Sequence, residues 1–167
     1  MQTNMKKKQA VIAVSGVKNS GKTTLIERLI PYLQYYGLQV AVIKHDGHSF
    51  QADPSDTDTG RFVQAGAIGT AIYDGEKYKL IKYAEIDAAD LIQLFPEADI
   101  ILLEGFKHSC WKKVEIVRRG NSEEAVCASE TMLALVTDLP LESNIPVIDL
   151  DDVAKVAELI IQYWEQL

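Results

Sequence analysis

The run Gly16-Val17-Lys18-Asn19-Ser20-Gly21-Lys22-Thr23 has residue types and a spacing that suit the holding of a polyphosphate. Glycines let a backbone turn tightly enough for its N–H groups to converge on phosphate oxygens. A helix that starts directly after such a turn adds unpaired donors and the positive end of a dipole. In the pattern G-x-x-x-x-G-K-T the lysine reaches the β- and γ-phosphates and the threonine hydroxyl ligates Mg²⁺. Gly16, Lys18, Asn19, Ser20, Gly21, Lys22, Thr23 and Thr24 are therefore the candidate phosphate contacts.

A phosphate loop alone does not separate a kinase from an NTPase or a switch, so the carboxylates matter. Glu104 ends the apolar run Asp99-Ile100-Ile101-Leu102-Leu103 and precedes Gly105. A carboxylate at the C-terminal end of a core strand lies where open α/β sheets place ligands. It can hold Mg²⁺ through water or orient a nucleophile. Lys22 and Glu104 are the candidate catalytic residues, and Thr23, Asp46 and Glu104 the candidate Mg²⁺ ligands. Asp46 belongs to Lys44-His45-Asp46-Gly47-His48, which follows another apolar run. His45 and His48 have no third partner for zinc in view, and a phosphate contact suits them as well. Arg61 offers a planar fork for phosphate, or equally an exposed partner for Asp58 on a helix face. Lys107 offers an anion contact or a plain surface charge, while His108 and Cys110 read as structural. No N-K-x-D sequence marks a base. Asp138, after the run Met132–Thr137, is the carboxylate best placed to accept from guanine, with a turn before Leu139-Pro140 as the alternative.

The elements that must position these residues follow from periodicity. Val11, Ile12 and Val14 predict a strand into the loop, and Leu25, Ile26 and Leu29 a helix from Lys22 to about Tyr36 that Gly37 closes. Pro31 is expected to kink or weaken it. Further strands are expected over 38–44, 99–103, 114–118, 132–137 and 145–149, with a weaker one over 125–128. Helices are expected over 56–65, capped by Ser55 or Asp56, over 87–95, and from 151 to the end. Segments 69–73 and 78–83 flank Asp74-Gly75, a hairpin signal. Alternating strands and helices predict an α/β sandwich of the phosphate-loop type with a mostly parallel sheet. The 69–83 and 112–128 segments break the alternation and are expected as an antiparallel extension on one edge, the place where a second copy could pair.

At 167 residues, with 47% hydrophobic content, the chain is expected to form a single globular nucleotide-binding domain. A net charge of −7 argues against nucleic acid and anionic membranes as bulk partners. Lys6, Lys7 and Lys8 precede an apolar run too short for a signal peptide, and no stretch approaches the ~20 residues of a membrane span. Cys110 and Cys127 lack zinc spacing and read as free thiols of a reducing compartment, so a cytoplasmic protein is expected.

Taken in order, Gly16–Thr24, Lys44-His45-Asp46-Gly47-His48, Asp58-Thr59 with Arg61, Gly66-Ala67 and Glu104-Gly105-Phe106-Lys107 resemble the MobB family of molybdopterin-guanine dinucleotide biosynthesis protein B over most of the chain. The resemblance implies a GTP-binding protein with weak GTPase activity and bound Mg²⁺. It implies assistance to a MobA-like molybdopterin guanylyltransferase that attaches GMP to molybdopterin, and a homodimer. By position it carries over Lys22 and Thr23 to phosphate and Mg²⁺, and Glu104 as the acid of the second nucleotide motif. Many ATPases of the same branch carry a second lysine where Val17 stands here, so Lys18 is assigned no catalytic role. The competing reading is a small-molecule kinase with Asp46 or Asp53 as the acid at the acceptor hydroxyl. It would bring an arginine-rich lid, yet the chain has only Arg28, Arg61, Arg118 and Arg119. A scaffold with a defunct loop is disfavoured by the intact Gly21-Lys22-Thr23.

Overall fold

The computed structural model describes residues 8–47, 50 and 53–167. Along the chain run β1 (Ala10–Gly16), α1 (Lys22–Tyr35), β2 (Val40–Lys44), α2 (Asp58–Gln64), β3 (Gly69–Tyr73), β4 (Tyr78–Lys82), α3 (Ala88–Ile92), β5 (Ile100–Glu104), β6 (Lys113–Val117), β7 (Met132–Thr137), β8 (Val147–Asp149) and α4 (Val153–Glu165). They form two compact units, one taking the chain up to His45 together with Ala88–Leu167, the other Asp46–Asp87.

The first unit is built on one sheet in the order β2-β5-β1-β6-β7-β8, with every neighbouring pair parallel. Strands covered on both faces read as continuous apolar runs, and β5 is buried along its whole length. Leu25, Ile26, Leu29 and Leu33 recur at helical spacing on α1 and pack against one face of the sheet together with Val153, Val156 and Ile160 of α4. The other face is covered by α3 with Phe95, Phe106 and Trp111, and by the loop residues Cys127, Leu139, Leu141 and Ile145. Because all strands run the same way, the segments leaving β1, β2, β5, β6 and β7 emerge at one edge, with β1 in the middle. That edge is where an open parallel sheet binds ligands. α1 runs through Pro31 to Tyr35, so the missing donor does not end it.

The structure corrects the expectation for 112–128. β6 lies inside the parallel sheet beside β1, not on an antiparallel edge, and 125–128 is not a strand. The alternation Lys113-Val114-Glu115-Ile116-Val117 suggests one wet face, yet all five residues are buried. The Lys113 Nζ donates to the carbonyl of Ser109 at 2.7 Å. The carboxylate of Glu115 accepts from the N–H groups of Val126 (2.7 Å) and Cys127 (3.0 Å). Buried charges survive only with such partners. Burial and the neighbouring Glu115 carboxylate push the Cys127 thiol up to about 12.

The second unit holds α2 and the antiparallel pair β3–β4, which is the antiparallel part of the fold. Thr57, not Ser55 or Asp56, caps α2, accepting from the N–H of Gly60 at 3.1 Å. A side chain at Gly60 would run into the carbonyl of Pro54. Asp74 closes the hairpin by accepting from the N–H groups of Glu76 (2.8 Å) and Lys77 (2.9 Å). The strands expose Ile72, Tyr73, Tyr78 and Leu80. Among the described residues, no helix is long and apolar enough to cross a membrane.

Candidate functional site

The loop between β1 and α1 has the backbone its sequence requires. Gly16 and Gly21 have φ of 138° and 102°, and Asn19 has φ of 62°, a value asparagine tolerates better than most residues. A Cβ on Gly16 would lie 2.7 Å from both the Ile116 carbonyl oxygen and the Ser20 Oγ. The hydroxyl of Ser20 is fully buried and has no hydrogen-bond partner among the described residues. A buried polar atom left unpaired is costly, and a phosphate oxygen at the loop would satisfy it. Lys18 is held from outside, its carbonyl accepting from the side chain of Asn121 at 2.9 Å. Thr24 follows on the exposed side of the first turn of α1.

The ammonium of Lys22 spans the loop, donating to the carbonyls of Val17 (2.6 Å) and Gly16 (3.3 Å). Partial burial lowers its pKa from the ordinary lysine value. Glu104 opposes that shift, while the positive charges of Lys44 and Lys107 add to it. A polyphosphate in the loop would reverse the imbalance.

Beneath Lys22, the Thr23 hydroxyl donates to Glu104 Oε1 at 2.9 Å. The parallel register Val14↔Glu104 and Lys44↔Glu104 brings the ends of β1, β5 and β2 together. Lys44 Nζ lies 3.3 Å from the same Glu104 oxygen. A threonine hydroxyl and a largely buried carboxylate side by side are hard oxygen donors of the kind Mg²⁺ takes, with water completing its shell. No group of three or more His, Cys, Asp or Glu that could hold a metal occurs among the described residues, so an ion here would rely on Thr23, Glu104 and ligand oxygens.

Asp138 lies past β7, and its Oδ1 accepts from the backbone N–H of Arg119 at 2.7 Å. The turn that follows is set by Thr137, whose Oγ1 accepts from the N–H of Leu139 at 3.0 Å. Asp138 thus orders the segment carrying Asn121, on the β6–β7 side of the phosphate loop.

The remaining candidates belong to the second unit. Arg61 pairs with Asp58 at 3.9 Å on an exposed face of α2. Asp46 is exposed at the start of that unit. Asp53, the other acid available to a kinase, is bonded to Lys79 and to the Thr59 hydroxyl, and Lys79 followed by Thr59 lowers its pKa. His48 lies outside the described residues. Sequence reasoning missed Asn121, Lys113 and Glu115, and it missed Ser15. Ser15, the one hydroxyl in the apolar run of β1, donates to the Gly105 carbonyl at 2.5 Å and ties β1 to the segment after Glu104.

Known proteins resemble this chain in sequence and in fold. The family model described as molybdopterin guanine dinucleotide synthesis protein B matches residues 11–138. The molybdopterin-guanine dinucleotide biosynthesis adapter protein of Haemophilus influenzae is 31% identical over 90% of this chain and 86% of its own length. A probable adapter protein of the same description from Bacillus subtilis is 36% identical over 71% of this chain and 70% of its own. The crystal structure of Bacillus subtilis MobB superposes with a TM-score of 0.73 at 29% identity, covering 92% of this chain and 96% of that one.

Proposed function

From the premise that the chain belongs to the family of molybdopterin guanine dinucleotide synthesis protein B, we propose that this accessory protein of molybdenum cofactor biosynthesis binds GTP with Mg²⁺. On this reading it presents the nucleotide to a molybdopterin guanylyltransferase and assists the attachment of GMP to molybdopterin. The observation that carries the reading is the Thr23–Glu104 contact of 2.9 Å lying under a loop whose buried Ser20 hydroxyl lacks a partner among the described residues. In it, Lys22 and the loop N–H groups hold the phosphates, and Thr23 and Glu104 hold Mg²⁺. Asp138, already ordered through Arg119, offers its second oxygen to the donor edge of guanine. Mg²⁺ would supply charge neutralisation along the phosphates. Hydrolysis is slow, because the loop side chains bind charge but present no general base to a water.

Calorimetric titration with GTP and with ATP, each with Mg²⁺, tests this, followed by turnover with and without a molybdopterin guanylyltransferase. GTP preference, slow intrinsic hydrolysis and stimulation of the transferase are expected. ATP preference with rapid transfer to a small acceptor would establish the kinase reading instead.

The reading includes a homodimer paired through β3 and β4. A two-stranded sheet is marginal by itself in water, and the register Tyr73↔Tyr78 and Ala71↔Leu80 puts exposed Tyr73, Tyr78 and Leu80 on one apolar face. Leu80→Asp is expected to turn the dimer into a monomer in sedimentation velocity while GTP affinity is retained. A dimer that persists in the variant would remove the hairpin from the interface.

A further inference from the structure

Beside the phosphate loop, and built entirely from the first unit, lies a cleft of about 440 Å³ lined by Gly16, His45 and the run Gly105–Ser109. Of its lining residues, only Gly16 belongs to the phosphate loop.

The turn that forms it is unusually constrained. Gly105 has φ of 101° and Phe106 has φ of 54°, a left-handed conformation that a bulky residue rarely adopts. Three bonds hold the turn there. Ser15 Oγ donates to the Gly105 carbonyl (2.5 Å), Ser109 Oγ to the Phe106 carbonyl (2.7 Å), and the buried Lys113 to the Ser109 carbonyl (2.7 Å). The result is a preformed aromatic wall. The Phe106 ring lies 5.5 Å from that of His45 and 5.9 Å from that of Trp111. Next to the wall stand Lys107 and His108, both exposed, and no salt-bridge partner for Lys107 is found among the described residues. The cleft is therefore lined by flat aromatic rings and by a lysine, and it shares Gly16 with the phosphate loop. Aromatic faces hold planar rings by stacking, and a free lysine beside them takes a phosphate.

We propose that this cleft binds a phosphorylated planar heterocycle of the pterin class at the same time as the loop holds its nucleotide. The proposal rests on the reading of the loop as a GTP site. The sheet order supports the pairing. His45 and Gly105–Ser109 leave β2 and β5 on one side of β1, whereas Asn121 and Asp138 leave β6 and β7 on the other. The guanine and the second ring would then flank the phosphate loop, with their phosphates facing each other across Gly16. That is the arrangement of two rings joined through a diphosphate.

The experiment titrates the full chain calorimetrically with 6-hydroxymethylpterin monophosphate, alone and with GTP and Mg²⁺ saturating. Binding is expected in both conditions. It should weaken by about tenfold in Lys107→Ala, in Phe106→Leu and for unphosphorylated 6-hydroxymethylpterin. Displacement of the pterin phosphate by GTP would overturn the proposal, because the probe would then be using the loop. Equal affinity for the phosphorylated and unphosphorylated probes, affinity unchanged in both variants, or no binding would overturn it too. GTP titrated alone reports on the loop separately. A chain that binds pterin phosphate with these sensitivities but not GTP would keep the cleft and remove the proposed function. A chain that binds GTP but not pterin phosphate would do the reverse.

Discussion

Replacing Lys22 with alanine is expected to weaken binding of GTP with Mg²⁺ by about 100-fold, equivalent to about 2.7 kcal/mol, the usual scale for truncating one member of a desolvated charge pair. The ammonium spans the loop through the carbonyls of Gly16 and Val17, so it already stands where β- and γ-phosphate oxygens would converge. The fold should survive. Lys22 has its pKa lowered in the nucleotide-free protein, with burial as the first cause. A lysine shifted down is penalised in its charged form when folded. That penalty is fully present below the lowered pKa, fades as pH rises from there toward the ordinary lysine value, and is gone above it. Removing the side chain removes the penalty along with its two carbonyl bonds, so thermal stability without nucleotide should change by about 1 kcal/mol or less. Lys22→Arg sharpens the test. It keeps the charge but replaces a compact ammonium with a broad planar fork, so affinity should fall nearly as far as in Lys22→Ala. Wild-type affinity in the arginine variant would mean that charge alone, without position, holds the nucleotide.

The loop was legible because its requirements are local. Positive φ at Gly16 and Gly21, and a tolerated one at Asn19, fix residue types within a few positions of one another. Glu104 was legible because a strand end beside Gly105 has few structural reasons to carry an acid. β6 was not legible in the same way. Lys113-Val114-Glu115-Ile116 carries the alternation of a half-wet strand, and nothing near it in sequence reveals that Ser109 and the Val126–Cys127 backbone will bond its charges. Whether a strand is central or at an edge depends on which strands pair with it, and β6 pairs with β1 from 100 residues away. The cap of α2 shows the smaller version of the problem. Ser55, Asp56 and Thr57 are all good cap types, and the choice of Thr57 follows from how Gly60 packs on Pro54.

Glu115 carries the second large effect, and it falls on the fold before it falls on the site. The side chain is 1% exposed, and both oxygens accept backbone N–H groups, from Val126 and Cys127. Glu115→Ala strands two buried donors and opens a space, and a loss of about 3 kcal/mol is expected. For a chain of this size that is a fall of about 10 °C in Tm. Glu115→Gln keeps one acceptor for one donor but turns an NH₂ group toward the other, so an intermediate loss is expected. A simple burial role would predict the opposite order, with the apolar, well-packed Glu115→Leu the most stable of the three. The consequence should reach the nucleotide along the chain. The segment that Glu115 anchors begins directly after β6 with Arg118–Asn121, and Asn121 holds the Lys18 carbonyl while Arg119 is held by Asp138. Loosening it leaves Lys22, Thr23 and Glu104 in place, so GTP affinity should fall by only about threefold to tenfold, consistent with loss of about one hydrogen bond. That modest fall beside a large drop in Tm separates a residue that positions the loop from one that touches the phosphates. In Lys22→Ala the two effects are expected in the reverse proportion.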